Sequence, residues 1–357
     1  MKKILIISTV GLIYDGITSV ITSYLEAMDK SGLDLYVVST IKSEAKIEEK
    51  LNRMGCKVVY MPSRKENTIK YFLSLIAFIR KNNIDVVHAH GNSGTLAIEM
   101  VAAWLGGSKK RIAHSHNTKC DQVKADKILR PIFNMFYTDG LACGEDAGKW
   151  LFGNKKFEVL TNGRDVDVYR FNMDTRNKIR SLYNIDKEIV IGHVGGFFEQ
   201  KNHKFLTAIY KEIRKIEPTC KLFMIGEGPL KNEIEKECKG LNVIFTGAID
   251  NVADYLNAMD GMLLPSLFEG LPLVAIEWQI NGLPCIFSDA ITRECILTNN
   301  VESYSFHCSP KIWAQHIIEM CKSNNREKTS NISYAKLIDS KYNLNKNVDR
   351  LKQIYIG

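Results

Sequence analysis

The stretch Pro265-Ser266-Leu267-Phe268-Glu269-Gly270-Leu271-Pro272-Leu273-Val274-Ala275-Ile276-Glu277 reads as the end of a buried strand, a glycine-containing turn and the start of a helix. The apolar run 262–265 is of strand length and does not alternate, as expected where helices cover both faces of a sheet. Pro272 suits the first position of the helix, where its missing N–H would have had no partner anyway. Repeated strand–turn–helix units of this kind close a parallel sheet.

The pattern continues in both directions. Short runs rich in Val, Ile and Phe occupy 4–8, 35–39, 58–61, 86–89, 111–115, 140–143 and 158–161, with helix-length segments between them. A second series occupies 189–194, 221–225, 243–246, 262–265 and 285–288. Between the two lies 164–187, polar and charged, and the hinge is expected there. The fold class is therefore α/β, with two doubly wound parallel sheets whose ligands sit beyond the carboxyl ends of the strands. The last stretch, 332–356, has spaced apolar residues among Lys and Asn and reads as an amphipathic helix on the surface.

Composition agrees. At roughly 100–200 residues per domain, 357 residues make about two domains. With 45% hydrophobic residues, 24 Gly and 8 Pro, neither a disordered nor a collagen-like chain fits. No apolar run approaches the roughly 20 residues of a spanning helix. Met1-Lys2-Lys3 and the apolar residues after it imitate a signal peptide, but the run is too short and reads as a buried first strand. Nine Cys without a CxxC pair point to a reduced, cytoplasmic protein with no disulfide framework. A net charge of +8 suits nucleic acid, an anionic membrane surface or a phosphorylated ligand. No aromatic-interleaved basic stripe accompanies it, so nucleic acid is not expected as a partner.

Several residues carry chemistry. The turn at Gly270, with the amides of Leu271 and Leu273 and the positive end of the helix dipole, would hold a phosphate. Glu269 and Glu277 beside such a site make sense as acceptors for sugar hydroxyls; the other reading is a helix cap and a solvated Glu. Lys201, after the strand 189–194 and the Gly195-Gly196 turn, is either a diphosphate partner or a solvated lysine. His88-Ala89-His90 and His114-Ser115-His116 each put two imidazoles on one strand face. They could bind a metal, but neither pair has a carboxylate at ligand spacing, and no metal is expected. Asp165-Val166-Asp167 reads as inter-domain loop rather than a metal motif. The segments 64–81 and 119–137 flank apolar residues with Lys and Arg, and read as partly buried helices or as a patch for anionic lipid.

Glu269 and Glu277, with seven residues between them, resemble the paired-glutamate signature of the retaining nucleotide-sugar glycosyltransferases of family four, which have the GT-B fold. Ile225-Gly226-Glu227-Gly228-Pro229-Leu230, Gly195 through Lys201-Asn202-His203, and Asn162-Gly163 with Asp165 resemble further family segments in the same order. The resemblance implies two doubly wound domains facing across a cleft: 1–168 for the acceptor, 169–335 for the donor, and 336–357 crossing back to the first domain. It implies Lys201, Glu269 and His116 as catalytic residues. The donor would be held by Gly16, Gly195, Lys201, Gly226, Gly270, Leu271, Leu273 and Glu277, with Glu277 on the ribose and Glu269 on the sugar. His90 and Asn117 would lie on the acceptor side. The family often has Arg after the first glycine where this chain has Gly196, so a second cation, Lys204 among the candidates, would be needed for a two-cation clamp.

Gln200-Lys201-Asn202-His203 and Glu269-Gly270-Leu271-Pro272 are most similar to the branch that builds bacterial capsular and exopolysaccharide repeat units. That implies a UDP-sugar donor, a hexose or N-acetylhexosamine, a lipid-linked saccharide acceptor, no cofactor or metal ion, and a place at the inner face of the cell membrane. A UDP-sugar epimerase of the same fold and a non-catalytic sugar-nucleotide-binding protein are the alternatives. The epimerase would turn over without an acceptor, and the binding protein would not turn over at all.

Overall fold

The computed structural model describes residues 1–357 except Tyr14, Lys42 and Gly270. The chain forms two compact units, one of Met1–Gly163 with Leu344–Gly357 and the other of Arg164–Asn343. Both boundaries expected from the sequence, after 168 and after 335, fall inside the second unit.

The strands of the first unit are β1 (Lys2–Ser8), β2 (Leu33–Ser39), β3 (Lys57–Tyr60), β4 (Val86–His90), β5 (Lys110–Ser115), β6 (Asp139–Ala142) and β7 (Glu158–Val159). They form one parallel sheet in the order β3-β2-β1-β4-β5-β6-β7. The strands of the second unit are β8 (Val190–Val194), β9 (Lys221–Ile225), β10 (Val243–Gly247), β11 (Gly261–Leu264), β12 (Cys285–Ser288) and β13 (Val301–Tyr304). They are also parallel, in the order β10-β9-β8-β11-β12-β13. In each sheet the strand order reverses once, between β1 and β4 and between β8 and β11. Those switch points are where doubly wound sheets leave room for a ligand.

The central strands are apolar on both faces because helices cover both. Val190, Ile191, Met262, Leu263 and Leu264 are fully buried. One strand, β13, went unpredicted, since Val301-Glu302-Ser303-Tyr304 has no apolar run and lies at the sheet edge, only partly covered.

Two expectations are corrected. The stretch 164–187 is not a loose hinge: it contains the helix Met173–Leu182, Ile179 and Ile185 enter the second core, and Arg176 and Arg180 both pair with Asp260. The terminal segment is not one surface helix but two, Arg326–Leu337 and Leu344–Ile356. The second buries Leu344, Val348, Leu351 and Tyr355, an i, i+4, i+7, i+11 stripe that seats it in the first unit. No helix among the described residues is long and apolar enough to cross a membrane. All nine cysteines are free.

Candidate active site

In the second unit the expected residues gather beyond β8 and β11. After β8 the chain turns through Gly195 and Gly196 into a short 3-10 turn, Glu199–Lys201. Gly226, just past β9, has φ +146°, and a Cβ there would lie 2.2 Å from the Gly195 carbonyl oxygen. The two loops therefore touch backbone to backbone only because 226 is glycine. Lys201 Nζ lies 2.5 Å from Glu269 Oε1, with the two side chains 17% and 10% exposed. Gln200 donates to Glu269 Oε2 at 3.1 Å and to the Phe268 carbonyl at 2.9 Å, and the Leu267 amide donates to the Gln200 carbonyl at 2.8 Å. The lysine expected at a diphosphate and the glutamate expected at a sugar thus hold each other. Neither charge is left uncompensated in a largely covered site.

Glu277 lies on the helix Leu273–Ile280, which is capped by Pro272 rather than beginning with it and has no side-chain capping bond. The residue is 4% exposed, and its carboxylate meets Arg164 Nε at 2.5 Å. This buried pair was not predicted. Its signal was nonetheless present: a glutamate among Ala275, Ile276, Trp278 and Ile280 is on a buried face and requires a cation. The pair also explains the boundary at Arg164, because Val166 packs in one cluster with Ile276, Ile280, Leu337 and Tyr342. Leu271 and Leu273 are half-buried against the same cluster, and Gly270 lies outside the described residues.

The other candidate groups here are committed elsewhere. Asp165 accepts from the amides of Asp167 and Val168, and Tyr334 donates to Asp167, so the Asp-x-Asp shapes a turn. Lys204 pairs with Glu233 at the surface, 2.7 Å away. His193 and His203 are buried behind the loop, and burial depresses both, His203 to about 4.

In the first unit the chemistry lies on the last residues of β4 and β5 and just past β5. His90 is opposite His114 in the register, and His88, His90, His114 and His116 share a face. His90 Nδ1 meets His116 Nε2 at 2.8 Å, His88 Nε2 meets His114 Nδ1 at 3.2 Å, and His88 Nδ1 meets the Tyr355 hydroxyl at 2.7 Å. Burial pushes every ring down, His116 to about 4 and the other three well below the ordinary histidine value, so all are neutral at pH 7. Asn92 accepts from the His116 amide at 2.9 Å. Asn117 is exposed just past β5. Sequence reasoning missed the parts played by Asn92 and Tyr355, whose partners are far off in the chain.

Ring nitrogens of His88, His90 and His114 lie within 4.8 Å of one another, a spacing that could hold a metal ion. His88 bonds to His114 and to Tyr355, and His90 bonds to His116. Gly16 opens the helix Gly16–Ala27 behind the cap Asp15, and a Cβ there would meet open space. The loop's demanding glycine is Gly11, at φ +86° and against Ile41.

Two family models match the chain, "Glycosyltransferase Family 4" over residues 14–168 and "Glycosyl transferases group 1" over 188–323. EpsF of Bacillus subtilis, which carries a glycosyltransferase name, is 32% identical over 302 residues, 80% of this chain and 78% of that one. The UDP-Gal:alpha-D-GlcNAc-diphosphoundecaprenol alpha-1,3-galactosyltransferase of Escherichia coli is 26% identical over 318 residues, 81% of this chain and 79% of that one. HepE of Anabaena, solved in complex with UDP, superposes with a TM-score of 0.78 at 14% identity, covering 99% of this chain and 100% of that one.

Proposed function

Since the chain belongs to glycosyltransferase family 4 and has the GT-B fold, we propose that it transfers a hexose or N-acetylhexosamine from a UDP-sugar to a lipid-linked saccharide in surface polysaccharide synthesis. The transfer retains the anomeric configuration and uses no metal ion. The observation that carries this reading is the Lys201–Glu269 pair at the switch point between β8 and β11. A diphosphate entering there takes over Lys201, and Glu269 is released to accept hydrogen bonds from the sugar. One event thus exchanges a carboxylate for a phosphate and primes the sugar contact.

As the bond from the anomeric carbon to the diphosphate breaks, negative charge grows on the leaving oxygen. Lys201 and the amides at the start of Leu273–Ile280 stabilise it. The acceptor oxygen bonds to the anomeric carbon on the same face, and its proton leaves with the diphosphate. Glu277, held by Arg164, accepts from the ribose hydroxyls, and neutral His116 hydrogen-bonds the transferred sugar. The relative that acts on a diphosphoundecaprenol-linked sugar supports the class of acceptor.

The first unit also offers a surface suited to such an acceptor. Leu73, Trp104, Ile128, Ile132 and Met135 are exposed on helices that pack side by side, with Lys70, Lys124 and Lys127 among them. Exposed apolar side chains with exposed lysines on the same helices fit the interface of an anionic bilayer. Co-sedimentation with anionic but not zwitterionic vesicles is expected; binding that ignores lipid charge contradicts it.

The test of function is turnover in chelator with UDP-sugars and a polyprenyl-diphosphate-linked saccharide, the product's anomeric configuration being read by NMR. Acceptor-dependent release of UDP with the configuration kept supports the proposal. Conversion of the donor without acceptor, or inversion, overturns it.

A further inference from the structure

The family resemblance gives His116 a role at the sugar and places His90 on the acceptor side, but gives none to His88 or His114. The rings form a continuous stack, with centroids 4.2 Å apart for His88 and His90, 5.0 Å for His90 and His114, 5.0 Å for His90 and His116, and 4.3 Å for His114 and His116. Behind them is a cavity of about 10 Å³, walled by Ile6, Val20, Leu25 and Leu351 with Tyr24 and Tyr355. That is space for about one water molecule. Among the described residues that line this cavity, the titratable groups are Tyr24, Tyr355, His88, His90 and His114. A dication here would have no anionic partner, so the arrangement favours hydrogen bonding between neutral rings.

A bond between two neutral imidazoles makes one nitrogen the donor and the other the acceptor. If His90 donates from Nδ1, then Nε2 of His116 accepts and its Nδ1 carries the proton. If His116 donates, its Nδ1 is bare. Nδ1 of His116 has no hydrogen-bond partner among the described residues. The protonation of the one uncommitted nitrogen on His116 is therefore set by His90. On the far side of the stack, Tyr355 ties His88 and His114 to the returning helix Leu344–Ile356.

We propose that His90 is a positioning residue that fixes the ring orientation and tautomer of His116, and that Tyr355, through His88 and His114, locks the stack on which both rings rest. This rests on the reading that His116 attends the transferred sugar. His90 is 3% exposed, which suits a residue acting through its neighbour better than the acceptor contact expected of it from the sequence.

The test compares kcat and UDP affinity for the full-length wild type, His116→Ala, His90→Asn, His90→Gln and Tyr355→Phe. An asparagine amide reaches the place of imidazole Nδ1, whereas a glutamine amide reaches that of Nε2. His90→Gln is expected to lower kcat about 10- to 100-fold with UDP affinity unchanged, the scale of a misplaced catalytic group. His90→Asn should recover most of that loss, and Tyr355→Phe should cost a few-fold. Nitrogen-15 spectra of the wild-type imidazoles should show His116 in one fixed tautomer at pH 7. Equal kcat for His90→Gln and wild type, no advantage of Asn over Gln, or an averaged His116 tautomer overturns the proposal. Full activity of His116→Ala would instead remove its premise, the role of His116 itself. Stoichiometric zinc in the purified protein, with activity lost on chelation, overturns it in favour of a metal centre.

Discussion

The two units place opposite kinds of chemistry at the carboxyl ends of similar parallel sheets, at the β8/β11 switch point in one and one strand further along, at β4 and β5, in the other. Beyond β8 and β11 the second unit sets charges in pairs, Lys201 with Glu269 and Arg164 with Glu277. On the last residues of β4 and β5 and just past β5 the first unit sets four neutral imidazoles bonded in two pairs. A fold common to both decides where a ligand binds, and the side chains decide what is bound. Paired charges suit a diphosphate, which replaces one partner of a pair; neutral rings suit hydroxyl groups, which need orientation but no counter-charge.

The largest expected effect comes from breaking a pair in the second unit. Arg164→Ala leaves the Glu277 carboxylate buried without its partner and should cost about 3–5 kcal/mol in a denaturant titration. Arg164→Ala with Glu277→Gln should cost less than the sum of the two changes; additivity would mean that the pair is not coupled. Lys201→Ala should lower turnover about 100-fold, the scale of losing one charge-stabilising donor, and should also lower the melting temperature, because Glu269 loses its partner in a largely covered site. Unaltered turnover in that variant would remove Lys201 from the diphosphate site.

Acidification should strike the imidazoles instead. Their folded pKa values lie below the ordinary 6.5, so the unfolded chain takes up protons first as pH falls. Their contribution is fully present above about 6.5 and is lost as pH falls toward 4, by about 1.4 kcal/mol per pH unit for each ring still neutral in the folded state. A melting temperature unchanged between pH 6.5 and 5 would contradict this. The smallest effect is at Gln200: Gln200→Ala removes the bonds to Glu269 and Phe268 and should cost about 1 kcal/mol, read by thermal melting.

The fold was largely legible because covered strands announce themselves. Runs such as Ile4-Leu5-Ile6-Ile7 and Met262-Leu263-Leu264 have no other reading between helix-length segments. β13 was not, because Glu302 and Ser303 at an edge have no need to be apolar. Polar composition in 164–187 was mistaken for a hinge, when Arg176 and Arg180 are polar in order to hold Asp260. At the site, local order revealed which residues lie at the strand ends but not their partners. Arg164 is far from Glu277 in sequence and Tyr355 farther still from His88, and only the folded topology brings them together.

The most direct test of the donor site is calorimetric titration of the full chain with UDP, GDP and ADP in chelator, on wild type and on Glu277→Gln. Selective binding of UDP, weakened about 10-fold or more in Glu277→Gln, is the expected result. Failure to bind UDP without added metal, or equal affinity in the two proteins, would contradict a metal-free donor site built on Lys201, Glu269 and Glu277.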